Sequence, residues 1–225
     1  MRLMAAVPLP ADPTLDEIRE AVAPHLAAHA AFDGWTDLAV ESAAMEVGVD
    51  ADLAKLSLKG GPMALIEAWI GSVDAEMAHR LPPEKLASMK IRERITALVA
   101  TRLEIAAPDR EGQRRAIAIM AMPQNVAAAA RIGWRSADRM WRLAGDTATD
   151  FNHYTKRMTL SAVYASTLAV FVNDESDDFA DTRAFLDRRI EDVMQFEKAK
   201  AQAKKRSEHL PSLSRFIGRL RYPPR

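Results

Sequence analysis

Residues 32–70, FDGWTDLAVESAAMEVGVDADLAKLSLKGGPMALIEAWI, decide the fold of the chain. An aromatic-Gly turn precedes Thr36, which is placed to cap a helix over Asp37–Val47, and a Gly-Val turn ends that helix. Asp50 then caps a short helix that we expect to run through Leu58. Helix, tight turn and short helix in this order are typical of a helix-turn-helix unit.

A further helix precedes this unit. Residues 15–30 carry apolar side chains three to four positions apart, and Pro24 is expected to kink the helix. Together these elements resemble the N-terminal domain of TetR-type regulators. A DNA-reading helix should present cations to phosphates, yet the short helix opens with two aspartates, and only Lys55 and Lys59 lie nearby to compensate. The charge pattern favours a structural relic over a working DNA reader, so no nucleic-acid partner is expected.

Length and composition limit the size of the core and the kinds of site that the protein can have. The 225 residues are 48% hydrophobic, enough for one substantial core and a second, smaller one. The absence of cysteine excludes a disulfide framework, a thiolate zinc site and a Cys nucleophile. The N-terminal sequence lacks the features of a signal or transit peptide, and the longest nearly uncharged run is too short to span a bilayer. We therefore expect a cytoplasmic protein of bacterial type.

The rest of the chain predicts helices separated by proline and glycine breaks. No stretch alternates with the period of a strand, so the predicted class is all-α, a TetR-like helical bundle. We expect three parts: a helix-turn-helix-like domain over residues 1–60, a helical domain over 61–196, and a basic tether with an amphipathic helix over 197–225. The helices predicted after the first domain cover residues 63–81, 84–106, 109–121, 124–144, 151–173 and 177–205.

Signatures of common enzymes are missing from the sequence. It has no Gly-rich phosphate loop, no nucleophile elbow and no His-Glu-x-x-His pair, so no catalytic residue and no cofactor is predicted. His25 and His29 lie four apart and could share a metal, but two partly solvated histidines are the favoured interpretation. The acidic pair Asp177-Asp178 is expected to begin a helix rather than to act as a catalytic pair.

Two segments stand out from this background. Residues 158–172 are apolar on nearly every side, which predicts a helix enclosed by others. Such a helix either fills a solid core or lines a cavity, and close packing favours the solid core. At the C-terminus, apolar and arginine side chains alternate as in a membrane-surface helix, although packing on the protein or on a partner is equally compatible. The predicted membrane-binding residues are Leu213, Arg215, Phe216, Ile217, Arg219 and Leu220.

Residues 141–194, WRLAGDTATDFNHYTKRMTLSAVYASTLAVFVNDESDDFADTRAFLDRRIEDVM, carry a long and specific pattern. Trp and Gly-Asp are followed by Thr-Asp-Phe-Asn, Tyr-Thr-x-Arg, an apolar helix, Asp-Phe-x-Asp-Thr and Phe-Leu-x-x-Arg. The pattern closely resembles the core of the coenzyme Q biosynthesis protein 9 family, the TetR-like accessory proteins of ubiquinone synthesis.

This resemblance implies a non-enzymatic, lipid-binding protein that is usually dimeric. Its helices enclose a pocket for an isoprenoid lipid, its C-terminal helix binds membranes, and it helps to deliver a late quinone intermediate to a di-iron hydroxylase. The resemblance thus shifts the expectation from a solid core to a cavity. Pocket residues expected from the apolar helix are Met158, Leu160, Tyr164, Leu168 and Phe171.

The resemblance also implies a surface patch for the hydroxylase. Relatives carry Trp at the position of His153, so this chain lacks a large ring at an expected hot spot. Judged from the residues alone, Trp141 and Tyr154 are equally compatible with helix-packing core. The patch maps onto Met140, Trp141, Asp150, His153, Tyr154 and Arg157.

The sequence therefore predicts an accessory protein of ubiquinone biosynthesis. It is expected to take up an isoprenoid quinone intermediate at the inner membrane, to which it binds peripherally, and to present it to the hydroxylase as a homodimer. The alternative is a ligand-responsive transcriptional regulator of TetR type, which has the same fold and a pocket of similar size. A third interpretation, an enzyme that acts on the lipid itself, has no support, because the sequence contains no recognisable set of catalytic residues.

Overall fold

A computed structural model describes residues 9–209, with side chains through residue 196. Within residues 9–209 the chain is helical with no strand, which confirms the predicted all-α class. The helices are α1 (Leu15–Val22), α2 (Leu26–Asp33), α3 (Asp37–Val47), α4 (Ala51–Ser57), α5 (Pro62–Arg80), α6 (Pro83–Ala87), α7 (Ile91–Ala106), α8 (Arg110–Met120), α9 (Val126–Leu143), α10 (Phe151–Phe171) and α11 (Ala180–His209).

The first helix begins at Leu15, as the sequence predicts, but the helical stretch ends at Asp33 and not at the predicted Ala30. Thr14 caps α1 by accepting a hydrogen bond from the backbone N–H of Glu17, whose carboxylate accepts one from the N–H of Thr14 in return. Pro24 lies in a 3-10 turn, Ala23–His25, that separates α1 from α2. The kink expected at this proline is thus confirmed.

Helices α3 and α4 form the predicted helix-turn-helix pair. Gly48 follows α3 with a φ of 72°, a left-handed conformation in which glycine has no steric penalty. The Asp50 carboxylate accepts hydrogen bonds from the N–H groups of Asp52 and Leu53, both at 3.0 Å, and so fixes the start of α4. Helices α1, α3 and α4 pack on one another.

Trp35, in the turn before α3, fastens the N-terminal helices to the rest of the bundle. Its side chain is buried, its ring centroid lies 5.6 Å from that of Trp69 on α5, and its Nε1–H donates to the Gly112 carbonyl at 3.1 Å. On α8, Gly112 packs so closely on α2 that a Cβ would overlap the Ala27 carbonyl group.

The prediction of a single helix over residues 84–106 is wrong, because the structure has two helices there. The helix is interrupted between α6 and α7. There the Arg94 guanidinium donates to the carbonyl oxygens of Ala87, Met89 and Ala144. Glu93 accepts from the Lys90 N–H at 2.8 Å and begins α7. The break is stabilised by a carbonyl that is distant in sequence, so periodicity alone could not indicate it.

The prediction that other helices surround residues 158–172 on every side is also wrong. Helix α10 packs on α9 and α7 along one side only, and its other side is open. Met158 is 64% exposed, and Ala162 and Ala169 are exposed along the same helix. Small side chains on the open side leave little apolar surface to cover, which is why one chain tolerates the exposure.

The start of α11 differs slightly from the prediction. Residues Asp177–Phe179 form a 3-10 turn, and α11 begins at Ala180. The Asp174 carboxylate accepts from the backbone N–H and the hydroxyl of Thr182, at 2.8 and 2.6 Å. Compact packing divides the chain within this helix, with one unit ending at Leu186 and the next beginning at Asp187. The domain boundaries at residues 60 and 196 stay a prediction.

Candidate functional site: an apolar cavity with a polar cluster

A cavity of about 330 Å³ lies among five helices of the bundle, α5, α7, α8, α9 and α10. This volume falls at the lower end of the roughly 300–1,000 Å³ typical of small-molecule sites. The lining is mostly apolar, as such sites require. It consists of Trp69, Ile70, Val73, Arg102, Ala106, Gln113, Ala116, Ile117, Met120, Ala121, Ala129, Ile132, Gly133, Ser136, Ser161, Tyr164, Ala165, Leu168 and Ala169.

Small residues at helical spacing create this space. On α9, Ala129, Gly133 and Ser136 lie on the side that faces the cavity, and an added Cβ at Gly133 would meet no atom within 4 Å. Opposite them, Ser161 and Ala165 lie one turn apart on α10. Because α9 and α10 contribute alanine, glycine and serine at these positions, their side chains are too short to fill the centre.

A charged pair interrupts the apolar lining. Arg102 on α7 is 2% exposed and pairs with the buried Asp74 of α5. The second carboxylate oxygen of Asp74 accepts a hydrogen bond from the Ser136 hydroxyl at 2.9 Å. The guanidinium carbon of Arg102 lies 4.8 Å from the ring centroid of Tyr164, within the range of a cation–π contact. The pair is thus compensated in charge, and two further helices, α9 and α10, contact it.

Three polar atoms beside the cavity nevertheless lack a hydrogen-bond partner. They are Nε of Arg102, Oε1 of Gln113 and Oγ of Ser161, all buried and all belonging to cavity-lining residues. One is a donor, one is an acceptor, and the hydroxyl can act as either. Buried polar atoms are normally paired, and these three have no partner within the protein.

Two of the five expected lipid-binding residues line the cavity, Tyr164 and Leu168. Met158 faces solvent, while Leu160 and Phe171 are buried outside the lining. Phe171 packs instead on Phe179, with ring centroids 5.0 Å apart. The sequence reasoning chose large apolar residues, but large residues fill space, whereas the cavity forms beside small ones. The run of alanines at the start of α9 was the available signal.

The turn between α9 and α10 is fixed by buried ion pairs. Arg157 donates from Nε to Asp138 at 2.6 Å and from Nη1 to Asp146 at 2.9 Å. Lys156 contacts the other oxygen of Asp146 at 2.6 Å. Burial raises the pKa of Asp146, but its contacts with Lys156 and Arg157 outweigh burial and hold the pKa below its usual value.

The six residues of the expected partner patch do not share one surface. Met140 and Arg157 are buried, which corrects the prediction that they lie in an exposed patch, because both serve the packing of α9 on α10. Asp150 is exposed and caps α10 through the Asn152 N–H.

The aromatic members of the patch form a cluster. Tyr154 is 57% exposed. Its ring lies 5.2 Å from that of His153 and 6.0 Å from that of Trp134 on α9. Trp141 is half-buried and donates from Nε1 to the Lys156 carbonyl at 3.0 Å. Trp134 was missed by the sequence reasoning, although it lies two helical turns before Trp141 on the same side of α9.

Lys55, one of the two cations near the helix-turn-helix pair, is neutralised. Lys55 on α4 contacts Asp52 at 2.9 Å and Glu41 of α3 at 3.1 Å. Its hydrogen bond to Asp52, followed by that to Glu41, raises its pKa. A lysine committed to two carboxylates is poorly suited to neutralise a phosphate.

The remaining candidate sites have simple structural accounts. His25 and His29 both contact the Glu46 carboxylate, each at 2.8 Å. Within residues 9–209 no cluster of three or more His, Asp or Glu side chains is arranged to hold a metal ion. Over the same residues, no helix combines the length and the apolar character that crossing a membrane requires. The expected membrane-binding residues, from Leu213 to Leu220, lie outside the described part of the chain.

Comparison with solved structures agrees with this architecture. The TetR transcriptional regulator from Nitrosomonas europaea superimposes with a TM-score of 0.61 at 22% sequence identity, over 77% of this chain and 95% of the regulator. A likeness at this identity shows the fold, and it confirms the predicted TetR-like bundle.

Sequence comparison is more specific. Residues 126–197 match the COQ9 family model. "Ubiquinone biosynthesis protein COQ9, mitochondrial" is 34% identical in Rattus norvegicus and 33% identical in Homo sapiens, each over 79% of this chain. The chain spans 59% and 58% of the length of these two relatives. The family match covers α9, α10, the turn between them and the first part of α11. Together with the similarity to COQ9 proteins over most of the chain, it confirms the predicted resemblance to the COQ9 family.

Proposed function

We propose that this protein is a lipid-binding accessory protein of ubiquinone biosynthesis. It takes up an isoprenoid quinone intermediate and presents it to a hydroxylase of the pathway. The observation that carries this proposal is the cavity among α5, α7, α8, α9 and α10, which is apolar except for one buried polar cluster. The names of the COQ9 relatives supply the pathway.

Uptake from a membrane suits the chemistry of such a ligand. A polyprenyl tail is costly to expose to water, so a carrier should meet it at the bilayer surface. The cationic, amphipathic pattern of Leu213, Phe216, Ile217 and Leu220, with Arg215 and Arg219, is suited to lie on an anionic leaflet. We propose peripheral association with the inner membrane of a bacterium through this segment.

The hydroxylase would dock beside the turn that Arg157 holds. Trp141, Asp150, His153 and Tyr154 remain the proposed contacts, and Trp134 joins them because its ring stacks beside Tyr154. An exposed tyrosine in an aromatic cluster is a frequent hot spot. Histidine in place of the Trp of relatives gives a smaller contact, which favours a partner surface adapted to this chain.

The open side of α10 supports the proposed homodimer. Met158, Ala162 and Ala169 are exposed and uncharged on this side, and Ala169 also lines the cavity. A second copy packed against it would cover Met158 without displacing any ion pair. We propose no catalytic role, because the carboxylate that accepts from a cavity hydroxyl, Asp74 beside Ser136, is already paired with Arg102.

The second candidate function, a ligand-responsive regulator, rests on the helix-turn-helix pair and the TetR-like fold. The acidic start of α4 and the paired Lys55 weigh against it. A salt-sensitive, nanomolar complex with a specific DNA duplex would reverse this choice.

Lipid extraction tests the proposed function. The natively expressed protein is purified, extracted with organic solvent and examined by mass spectrometry. Gly133→Leu should fill the cavity, while Gly71→Leu places the same side chain on an exposed face of α5, also with no atom near the new Cβ.

We expect a polyprenyl quinone precursor in near-stoichiometric amount with the wild type and with Gly71→Leu, and its loss with Gly133→Leu. Absence of any isoprenoid lipid from the wild type, or equal amounts in both variants, would contradict the proposal.

A further inference from the structure

The connection between α8 and α9 exposes apolar surface next to the cavity. Residues 116–130, which we call the α8–α9 corner, contain no charged side chain. Met122 is 43% exposed and Val126 is 54% exposed in this segment, and Ala121 and Ala127 beside them are exposed as well. Single exposed apolar residues are ordinary on protein surfaces, whereas a continuous apolar area marks an interaction site.

The cavity reaches the protein surface at this corner. Met120, Ala121 and Ala129 belong to the α8–α9 corner and also line the cavity. Because Ala121 is exposed, the wall of the cavity continues onto the outer surface at the end of α8. Apolar outer surface at Met122 therefore leads directly into the apolar lining.

The backbone of the corner makes most of its hydrogen bonds within the corner itself. The Ala121 N–H donates to the Ile117 carbonyl at 2.9 Å, and the Met122 N–H donates to the Ile119 carbonyl at 3.2 Å. The side-chain amide of Asn125 donates to the same Ile119 carbonyl at 2.8 Å. Carbonyls at the end of a helix otherwise depend on water, so these bonds lower the cost of moving the corner into apolar surroundings.

Arginines border the corner on both helices. Arg115 precedes it on α8 and Arg131 follows it on α9, and both are exposed. Arg131 lies five residues beyond Val126 in the sequence, which is about 7.5 Å along the helix. When an apolar tip enters the outer part of a leaflet by roughly 5–10 Å, an arginine at this spacing lies level with the lipid phosphates. The neighbouring carboxylates of Glu111 and Glu67 are paired with arginines, so their charge is compensated.

We propose that the α8–α9 corner is a second membrane-contact site, separate from residues 213–220. It inserts Met122 and Val126 into an anionic lipid surface and places the opening of the cavity against the acyl chains. A lipid surface fits better than a protein partner, because the exposed apolar tip continues into the cavity and has cations on both sides. This inference rests on the proposed lipid uptake and identifies where uptake takes place.

A single labelled cysteine tests the insertion of the corner, since the chain has no cysteine of its own. Val126→Cys in the full chain carries a fluorophore whose emission shifts to the blue in apolar surroundings. Vesicles of phosphatidylcholine and phosphatidylglycerol, with bromine atoms on the acyl chains in a second set, are then added. Bromine quenches the fluorophore only when the label lies among the acyl chains.

Glu84→Cys provides the matched control, at an exposed position on α6. Helix α6 adjoins the opposite end of α9, because Arg94 donates to the carbonyls of both Ala87 and Ala144. The 18 residues of α9 span about 27 Å, which keeps this label away from a leaflet that contacts the corner.

We expect a blue shift and quenching by brominated lipid at Val126→Cys, and neither at Glu84→Cys. A label at Val126→Cys that stays in water on vesicle-bound protein would overturn the inference and leave the proposed lipid binding intact. Blue-shifted emission before any vesicle is added would also overturn it, because protein, such as a second copy, would then cover the corner. If the protein does not sediment with vesicles, the inference fails, while lipid extraction still tests the cavity.

A charge at the tip tests lipid entry. Val126→Asp should slow the transfer of a fluorescent farnesyl lipid from vesicles to the protein about ten-fold, and Ala87→Asp, on exposed α6, should not change the rate. Both variants should bind the same lipid as the wild type does when it is supplied in detergent. Aspartate is favoured in the first turn of a helix, so Val126→Asp should keep the fold.

The outcomes separate this inference from the proposed function. Equal transfer rates for the two aspartate variants would overturn the inference. A wild type that fails to bind the lipid supplied in detergent would contradict the proposed function itself. If Val126→Asp does not fold, the labelled-cysteine measurement decides.

Discussion

The two sides of α8 are packed in opposite ways. On one side, Gly112 lies against α2 with no room for a single methyl group, and its carbonyl accepts from Trp35. On the adjoining face, Gln113, Ala116 and Ile117 line a cavity of about 330 Å³. The first side joins the N-terminal helices to the bundle, and the second leaves space that packing alone would have filled.

Within α8, the face at Gly112 therefore contributes to stability, and the face at the cavity is available for binding. Close contact at Gly112 contributes to the free energy of unfolding, because neither backbone can move without disturbing its own helix. The cavity side gives up such contacts, and three polar atoms there have no partner within the protein. Substitutions on the two sides of α8, and across the cavity from it, should therefore have opposite consequences.

The largest effect is expected from Gly112→Ala. The new Cβ overlaps the Ala27 carbonyl, so α8 and α2 must separate. We expect a loss of about 3 kcal/mol in the free energy of unfolding, measured by urea denaturation. Gly71→Ala, on the exposed side of α5, serves as the control and should lose nothing. A Gly112→Ala protein as stable as the wild type would show that this side of α8 is not tightly packed.

An intermediate effect is expected from Asp146→Asn, far from both sides of α8. The substitution removes the charge that Lys156 and Arg157 contact, at a cost of about 2 kcal/mol at pH 7. Because the folded-state pKa of Asp146 is lowered, its contribution is present above about pH 4 and is lost as the pH falls through that folded pKa.

Denaturation midpoints of the wild type and Asp146→Asn should consequently converge in acid, where both carry a neutral group at this position. A constant difference between the two proteins from pH 7 to pH 2 would contradict this assignment.

The smallest effect is expected from Gly133→Ala, on the cavity side. No atom lies within 4 Å of the new Cβ, and alanine favours the helix over glycine. We expect a gain of about 1 kcal/mol. The same glycine-to-alanine change thus stabilises at Gly133 and destabilises at Gly112. Destabilisation at both positions, seen in thermal unfolding, would mean that the cavity side is as tightly packed as the other.

Helix boundaries were largely predictable from the sequence, because local signals determine them. Asp50 caps α4 with its own side chain, and Gly48 ends α3 through its backbone conformation. The break before α7 was not predictable, since Arg94 reaches the Ala144 carbonyl 50 residues away. The fold class follows from local patterns, whereas such details depend on contacts between distant segments.

The candidate site was less predictable for the same reason. Tyr164 and Leu168 were found by their place in an apolar helix, but Arg102, Gln113 and Trp69 come from three other helices. A buried arginine is not distinguishable from a surface arginine by its neighbours in sequence. Arg157 was misassigned to the surface because its partners, Asp138 and Asp146, become visible only when α9 packs on α10.

The most direct test of the central claim is photoaffinity labelling with a geranylphenol that carries a diazirine at the end of its tail. Peptide mapping locates the label in the wild type and in Gly133→Leu. We predict labelling of cavity residues such as Ile117, Met120 and Leu168, and its loss when the leucine fills the space. Labelling confined to exposed residues, or unchanged labelling in a folded Gly133→Leu protein, would contradict the claim that the cavity beside α8 is the ligand site.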